Sequence, residues 1–197
     1  MPKGPEPFRR PTPCGRFPER CQRRETKVAI FDADDTIWHI TPHAIASSVC
    51  GPFKKIDEDT VEATTGSCHG PQVPRYWDEP PERPIRVTLL PGLRDTLKTL
   101  KMMGIDLFVS SLNTPGSVKD ILDAFGLVGE FKEIRDTWDP KDKTVRELAE
   151  KHKFAPCDAL FLDDNSGHVD AVSKLGVLAL QMGVDVTKVA AILDYIR

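Results

Sequence analysis

Short apolar runs alternate with segments whose apolar residues recur every three or four positions through much of this chain. The short runs predict buried strands, and the periodic segments predict amphipathic helices. Regular alternation of strand and helix is typical of an α/β fold with a parallel, doubly wound sheet. The strands are predicted at Val28–Phe31, Ile105–Val109, Phe131–Ile134, Ala159–Leu162 and Val177–Leu180.

The helices are predicted from apolar faces and from residues that favour helix ends. Leu93, Leu97 and Leu100 share one helical face after Pro91-Gly92, and the Gly104 beyond them suits a left-handed cap. Thr114 is the expected N-cap of the next helix, because a proline follows it in the first turn. The remaining helices are predicted around Val118–Phe125, from Asp139-Pro140 to His152, over Gly167–Leu175 and over Thr187–Tyr195.

Two proline-rich segments depart from this pattern and define the expected domain organisation. Residues 1–26 hold six prolines and seven basic against three acidic residues, which predicts an extended basic tail. A solvated arm is the simpler interpretation of this tail, and contact with RNA or an acidic partner is the alternative. Residues 37–89 are too long for a plain loop, so we expect a small irregular or β insert with Arg86–Leu89 as one strand. The core domain is therefore expected over residues 27–197.

Composition limits the classes of function. The chain is 40% hydrophobic and 29% charged with a net charge of −3, which indicates neither nucleic-acid nor membrane binding. The N-terminus lacks the apolar segment of a secretory signal, so a cytoplasmic location is the expectation. Free thiols are the simplest interpretation of the odd number of cysteines. A zinc site or disulfides remain open for Cys14, Cys21, Cys50 and Cys68.

Three aspartates follow the first predicted strand directly. Asp32, Asp34 and Asp35 lie just beyond Val28–Phe31, at the edge where open α/β sheets bind ligands. Carboxylates this close repel one another and raise one another's pKa, and a cation or a transferring group would remove that penalty. The pattern therefore predicts a functional site at this strand end.

Further polar groups are expected at the same edge of the sheet. Ser111 and Asn113 follow one strand, Asp163 and Asp164 follow another, and Lys141 begins a helix. Because the carboxyl ends of parallel strands converge on one crevice, we expect these side chains to meet. Carboxylate oxygens suit Mg²⁺, and lysine and hydroxyl donors suit a phosphate.

These motifs resemble, in type and order, those of the haloacid dehalogenase (HAD)-like phosphatases. The order is Asp-x-Asp-x-Thr at 32–36, a strand-terminal serine, an isolated lysine and an Asp-Asp pair. The segment from Leu90 onward is most similar to the magnesium-dependent phosphatase branch, with Leu90-Pro91-Gly92, Phe161–Asp164 and Lys174–Val177 in similar places and Trp38 after the first motif. Residues 138–141 and 163–165 are also similar to the corresponding domain of FkbH-type enzymes.

The resemblance implies roles for the acidic residues. Asp32 would be the nucleophile that forms an aspartyl-phosphate, and Asp34 the general acid and then the base. Mg²⁺ would be held by Asp32, by the backbone carbonyl of Asp34 and by one aspartate of the Asp163-Asp164 pair. Asp164 is the expected direct ligand, and Asp163 is expected to contact the ion through water or through another ligand. The sequence leaves this choice open.

The resemblance also implies a phosphate-binding set, made of Ser111, Asn113 and Lys141. Lys143 and Lys119 compete with Lys141 for the cationic role, but the Trp-Asp-Pro-Lys context favours Lys141.

Three polar or aromatic neighbours of these motifs carry expectations of their own. Thr36 is expected to order its loop through a bond from its hydroxyl to the backbone. His168 is expected to be an exposed helix residue rather than a ligand. Trp38 lines the entrance or packs the insert, and the sequence does not decide between these.

The resulting prediction is a Rossmann-like, HAD-like domain without a helical cap that hydrolyses phosphomonoesters with Mg²⁺. A small phosphorylated compound or a phosphoprotein is the expected substrate, and no oligomeric state is indicated. Two alternatives stay open: an FkbH-type phosphoryl or acyl transfer domain, and a phosphate-binding module without catalysis.

Overall fold

The computed structural model describes residues 25–42, 49–65 and 84–196. Strands and helices alternate along most of this length. In chain order they are β1 (Val28–Phe31), β2 (Trp38–Thr41), β3 (Cys50–Lys55), β4 (Thr60–Thr65), β5 (Ile85–Leu89), α1 (Leu93–Met102), β6 (Asp106–Ser111), α2 (Ser117–Ala124), β7 (Glu133–Asp136), α3 (Lys141–His152), β8 (Ala159–Asp163), α4 (Ser166–Ser173) and β9 (Leu178–Gln181), with 3-10 helices at Val128–Glu130, Pro156–Asp158 and Val189–Tyr195.

The main sheet has five parallel strands in the order β7-β6-β1-β8-β9. The central strand β1 is buried on both faces, because Ala29 and Phe31 pack on one side and Val28 and Ile30 on the other. Helices α1 and α2 cover the first face, while α3 and α4 cover the second. The predicted doubly wound parallel α/β sheet is confirmed.

A second, antiparallel sheet lies within the predicted insert. Its strand order is β2-β5-β4-β3, and Arg86–Leu89 falls in β5 as predicted. Inward-facing residues such as Ile40, Val61 and Val87 join the same hydrophobic core as the first face of the main sheet. Residues 37–42, 49–65 and 84–89 of the insert contain strands and turns but no helix, in line with the expected β insert.

Arg94 on α1 attaches the β3–β4 turn to the main domain. Its Nε lies 3.0 Å from Oδ1 of Asp59, and its Nη2 donates to the backbone oxygens of Glu58 at 2.7 Å and Phe125 at 3.1 Å. One guanidinium thus contacts the insert and the end of α2 together. This fork fixes the insert against the helices on that face.

Two predictions about helices were wrong. Gly116, in the left-handed region at φ 99°, occupies the N-cap of α2 instead of Thr114. The Asp136 carboxylate accepts the N–H groups of Gly116 at 2.7 Å and Val118 at 3.3 Å, so the cap comes from a neighbouring strand. The last predicted helix is of the 3-10 type and spans Val189–Tyr195.

Some sequence expectations concern residues outside the described part of the chain. The first 24 residues of the basic tail, and with them Cys14 and Cys21, lie there, as do Cys68 and the side chain of Cys50. The proposals of a zinc site or of disulfides therefore stay predictions. Among the described residues, no helix is long and apolar enough to cross a membrane.

Candidate active site

The chain turns sharply as it leaves β1, and this turn sets the positions of the first aspartates. The N–H of Asp32 donates to the carbonyl of Leu162 at 2.8 Å, so Asp32 is still held against β8. Immediately afterwards the carbonyl of Ala33 accepts the N–H of Ile37 at 2.8 Å. Asp35 takes a left-handed conformation, φ 54°, which aspartate tolerates better than most residues. Small, fully buried Ala33 leaves room for this reversal.

Three carboxylates meet where β1 and β8 end. Oxygens of Asp32, Asp163 and Asp164 lie within 4.8 Å of one another. Burial and then the charge of Asp32 raise the pKa of Asp163 to about 6. Partial burial, Asp32 and then Asp35 also raise the pKa of Asp164. Oxygen ligands in this arrangement fit a hard divalent cation, whose charge would offset both the burial and the repulsion that raise these pKa values.

Lys141 supplies a buried positive charge beside this cluster. It is the first residue of α3, only 2% exposed, and its ammonium donates to the Asp32 carboxylate and to the backbone oxygen of Ser110. Nζ also lies 3.5 Å from Oδ2 of Asp163. Lys143, by contrast, has an exposed side chain. The structure therefore brings Lys141, rather than Lys143, to Asp32.

Two of the three predicted phosphate-binding residues, Ser111 and Asn113, lie at the end of β6 next to the first motif. Ser111 and Asn113 are both buried, and Nδ2 of Asn113 donates to Oγ of Ser111 at 2.8 Å. The same nitrogen donates to Oδ2 of Asp34 at 3.0 Å. Every residue predicted for the site thus lies at this one edge of the sheet. Their roles in binding and catalysis stay predictions.

The sequence left the role of Trp38 open between lining the entrance and packing the insert. Trp38 is fully buried within the core that the insert shares with the main sheet, which favours packing over lining the entrance. Its indole Nε1 also donates to Oδ1 of Asp34 at 2.9 Å. The sequence shows a side-chain donor, Trp38, four residues after Asp34. Their contact could be inferred only once the structure showed the sharp turn between them.

Asp136 supports the Ser111 loop and was missed by the sequence analysis. Besides capping α2, it ends β7 directly opposite Ser111, and the next N–H, that of Thr137, donates to the Ser111 carbonyl at 3.1 Å. An acidic residue at the end of a strand was the available signal.

The prediction for Thr36 was wrong, and His168, a helix residue as predicted, is less exposed than expected. His168 is half-buried, and its Nδ1 lies 3.2 Å from each carboxylate oxygen of Asp163, because α4 begins just after β8 and turns this side chain back to the cluster. The backbone N–H of Asn165 also donates to Asp163, at 2.9 Å. The buried hydroxyl of Thr36 has no hydrogen-bond partner among the described residues; the turn is closed by backbone bonds to Ala33 instead.

Several solved structures share this fold. A HAD-superfamily hydrolase from Ehrlichia chaffeensis matches with a TM-score of 0.57 at 15% identity, covering 87% of this chain and 96% of that chain. The N-terminal part of protein BF1531 from Bacteroides fragilis, which contains a phosphatase domain complexed with Mg, matches with a TM-score of 0.55 at 19% identity, covering 83% of this chain and 38% of that one.

A predicted phosphoglycolate phosphatase from Haemophilus somnus 129PT matches with a TM-score of 0.49 at 22% identity, covering 55% of this chain and 57% of that chain. The present chain thus spans about half or less of the Haemophilus and Bacteroides chains. No curated protein matches the chain.

The family comparison matches one continuous segment. The family model for haloacid dehalogenase-like hydrolases matches residues 53–176, more than half of the chain. The matched segment includes Ser111, Lys141 and the Asp163-Asp164 pair, while the Asp32 motif precedes it. This protein therefore belongs to the haloacid dehalogenase-like hydrolase family.

Proposed function

We propose that this protein is a magnesium-dependent phosphatase that hydrolyses phosphomonoesters through a phosphoryl group carried on Asp32. The observation that carries the proposal is the convergence of three carboxylates within 4.8 Å, with the buried ammonium of Lys141 bonded to one of them. A nucleophile, a cation site and a charge-neutralising donor are the parts that phosphoryl transfer requires.

Asp32 and Asp34 divide the proposed chemistry between them. An oxygen of Asp32 attacks phosphorus as the bond to the ester oxygen breaks, and Asp34 donates a proton to that leaving oxygen. Asp34 then takes a proton from the water that releases phosphate and regenerates Asp32. Lys141 holds the Asp32 carboxylate in one orientation and offsets negative charge on the transferring group.

The carboxylates of Asp32 and Asp164 and the backbone carbonyl of Asp34 would hold Mg²⁺. Asp164 is exposed, whereas Asp163 is fully buried and already receives Asn165 N–H and contacts Lys141. We therefore assign the direct contact to Asp164 and support of the cluster to Asp163. The bound ion would neutralise the negative charge of nucleophile and phosphate as they approach.

Ser111 and the backbone amides beside it form the proposed phosphate-binding edge, with Asn113 next to them. The substrate is a small phosphorylated compound or a phosphoprotein. The described part of the insert contributes strands and turns beside this edge of the sheet.

Hydrolysis of p-nitrophenyl phosphate tests the proposed function. We expect turnover with Mg²⁺, loss of turnover with a chelator, and loss of turnover in Asp32→Asn. Asp170→Asn is the matched control, because it removes an exposed carboxylate of α4 outside the cluster. Full activity in Asp32→Asn would contradict the assignment of the nucleophile, and activity unaffected by chelation would contradict the metal requirement.

A further inference from the structure

We propose that Trp38 and Asn113 are positioning residues that hold the carboxylate of Asp34 from both sides, and so aim it at the leaving group. Trp38 Nε1 donates to Oδ1 at 2.9 Å, and Asn113 Nδ2 donates to Oδ2 at 3.0 Å. The inference rests on the proposed function, since it concerns the residue that protonates the ester oxygen.

The turn after β1 fixes the Trp38 side of this clamp. Asp35 N–H donates to the Trp38 carbonyl at 2.8 Å, and Trp38 N–H donates to the Ala33 carbonyl at 3.3 Å, so backbone bonds close the turn from both ends. Trp38 is also the first residue of β2, where it pairs with Leu89 of β5. An indole has a single N–H donor, and here Asp34 receives it. The turn therefore holds the tryptophan ring and the carboxylate in one arrangement.

Asn113 fixes the other side and links the acid to the phosphate-binding edge. A side-chain amide nitrogen carries two hydrogens, and the Nδ2 of Asn113 meets two acceptors: Asp34 at 3.0 Å and Ser111 Oγ at 2.8 Å. With both hydrogens directed at protein oxygens, this nitrogen ties the general acid to Ser111. We therefore assign Asn113 to positioning, in place of the phosphate contact that the sequence suggested.

The clamp gives the insert a part in catalysis. The side chains of Trp38 and Asn113 are 0% and 1% exposed, so rotating the Asp34 carboxylate would strand two buried donors. Loss of either hydrogen bond should slow the step in which Asp34 protonates the leaving oxygen. That step limits alkyl esters, whose alkoxide is a poor leaving group, and matters little for a nitrophenolate, which leaves without a proton.

The test compares kcat/KM for β-glycerophosphate and p-nitrophenyl phosphate, because kcat/KM covers the steps up to release of the leaving group. A general acid contributes about 10²- to 10⁴-fold, so we expect Trp38→Phe to lower kcat/KM at least about 10-fold more for the alkyl ester than for the aryl ester. Asn113→Ala should show the same substrate preference. Asp34→Asn sets the upper limit of this preference.

Ile40→Ala is the matched control for a purely structural effect. Ile40 lies on the same strand and buried face as Trp38 but donates no side-chain hydrogen bond, so its substitution should weaken the fold and leave the substrate preference at the wild-type value. Asn113→Ala keeps the proposal testable if Trp38→Phe does not fold, since it leaves the insert core intact.

Two outcomes separate this inference from the proposed function. Equal losses for both esters in Trp38→Phe and Asn113→Ala would overturn the clamp and leave the phosphatase assignment standing. Absence of p-nitrophenyl phosphate hydrolysis by the wild-type protein would overturn the proposed function, and the clamp with it.

Discussion

The ammonium of Lys141 donates to the carboxylate of Asp32, although 109 residues separate them in the chain. Both groups are buried, and the same ammonium also donates to the carbonyl of Ser110 and lies near Asp163. A buried charge pair is costly to break from one side, because the remaining charge is left without compensation. The pair thus joins the end of β1 to the start of α3 and orients the proposed nucleophile.

Replacing Lys141 by Met should remove most of the activity while keeping the shape of the side chain. We expect kcat for p-nitrophenyl phosphate to fall by about 10²-fold or more, since a charge aimed at the transferring group is lost. Steady-state kinetics measure this effect. Lys143→Met is the control: its exposed side chain pairs with Asp139 outside the cluster, so kcat should stay near the wild-type value. Comparable losses in the two variants would contradict the assignment of Lys141.

Replacing Asp163 by Asn should raise the free energy of unfolding of the metal-free protein. The pKa of Asp163 is about 6 in the folded protein against 3.8 ordinarily, so between these values the folded state binds the extra proton. The contribution of this group to the free energy of unfolding therefore falls as pH rises from 3.8 to about 6. In chelator above this range, Asp163→Asn should be more stable than wild type, by up to about 3 kcal/mol.

Urea unfolding with and without Mg²⁺ measures this effect. Mg²⁺ should stabilise the wild-type protein above the pKa of Asp163 and should stabilise Asp163→Asn much less, because one carboxylate of the cluster is gone. A metal-free Asp163→Asn protein less stable than wild type at high pH would show that Asp163 stabilises the fold as a charged group, contrary to the account.

Glu133 should make the protein sensitive to acid. Burial alone would raise its pKa, but hydrogen bonds from Lys151, His152 and Arg135 outweigh burial and lower the pKa to about 2. Because the folded-state pKa is depressed, the stabilisation is complete above the ordinary value of 4.5 and is lost as pH falls toward about 2. Urea unfolding at a series of pH values measures this effect. As pH falls through this window, the free energy of unfolding should decrease less in Glu133→Gln than in the wild-type protein.

Glu130→Gln is the control for that experiment. Glu130 forms a more exposed pair with Lys101, and exposed pairs contribute about 0–1 kcal/mol. Its substitution should leave the acid sensitivity unchanged. If Glu133→Gln and wild type lose stability in parallel, the network around Glu133 does not hold this carboxylate ionised.

The hydrophobic pattern was sufficient to predict the main sheet. A parallel strand that is buried on both faces consists of a continuous run of apolar residues, which can be seen in the sequence. Val28–Phe31 and Ala159–Leu162 are continuous apolar runs, and both form strands of the sheet. The polar residues that follow such runs must then lie at one edge, so the positions of Asp32 and Asp163 at that edge followed from the order of elements.

Contacts between distant side chains could not be predicted in the same way. Asn113 and Asp34 are 79 residues apart, and their hydrogen bond depends on the close approach of two loops. The prediction of the N-cap of α2 was wrong for a similar reason. The local sequence favoured Thr114, but Asp136 of the neighbouring strand provides the acceptor. His168 reaches Asp163 only because α4 begins immediately beyond β8.

The most direct test of the account is to find the phosphoryl group on the protein. We predict that wild-type protein quenched with acid during turnover of p-nitrophenyl phosphate with Mg²⁺ carries a phosphoryl group on Asp32, detected by peptide mass spectrometry. Asp34→Asn should accumulate more of this species, because the base that activates water is lost. A phosphoryl group on another residue, or none on Asp32 in either protein while phosphate is released, would contradict the account.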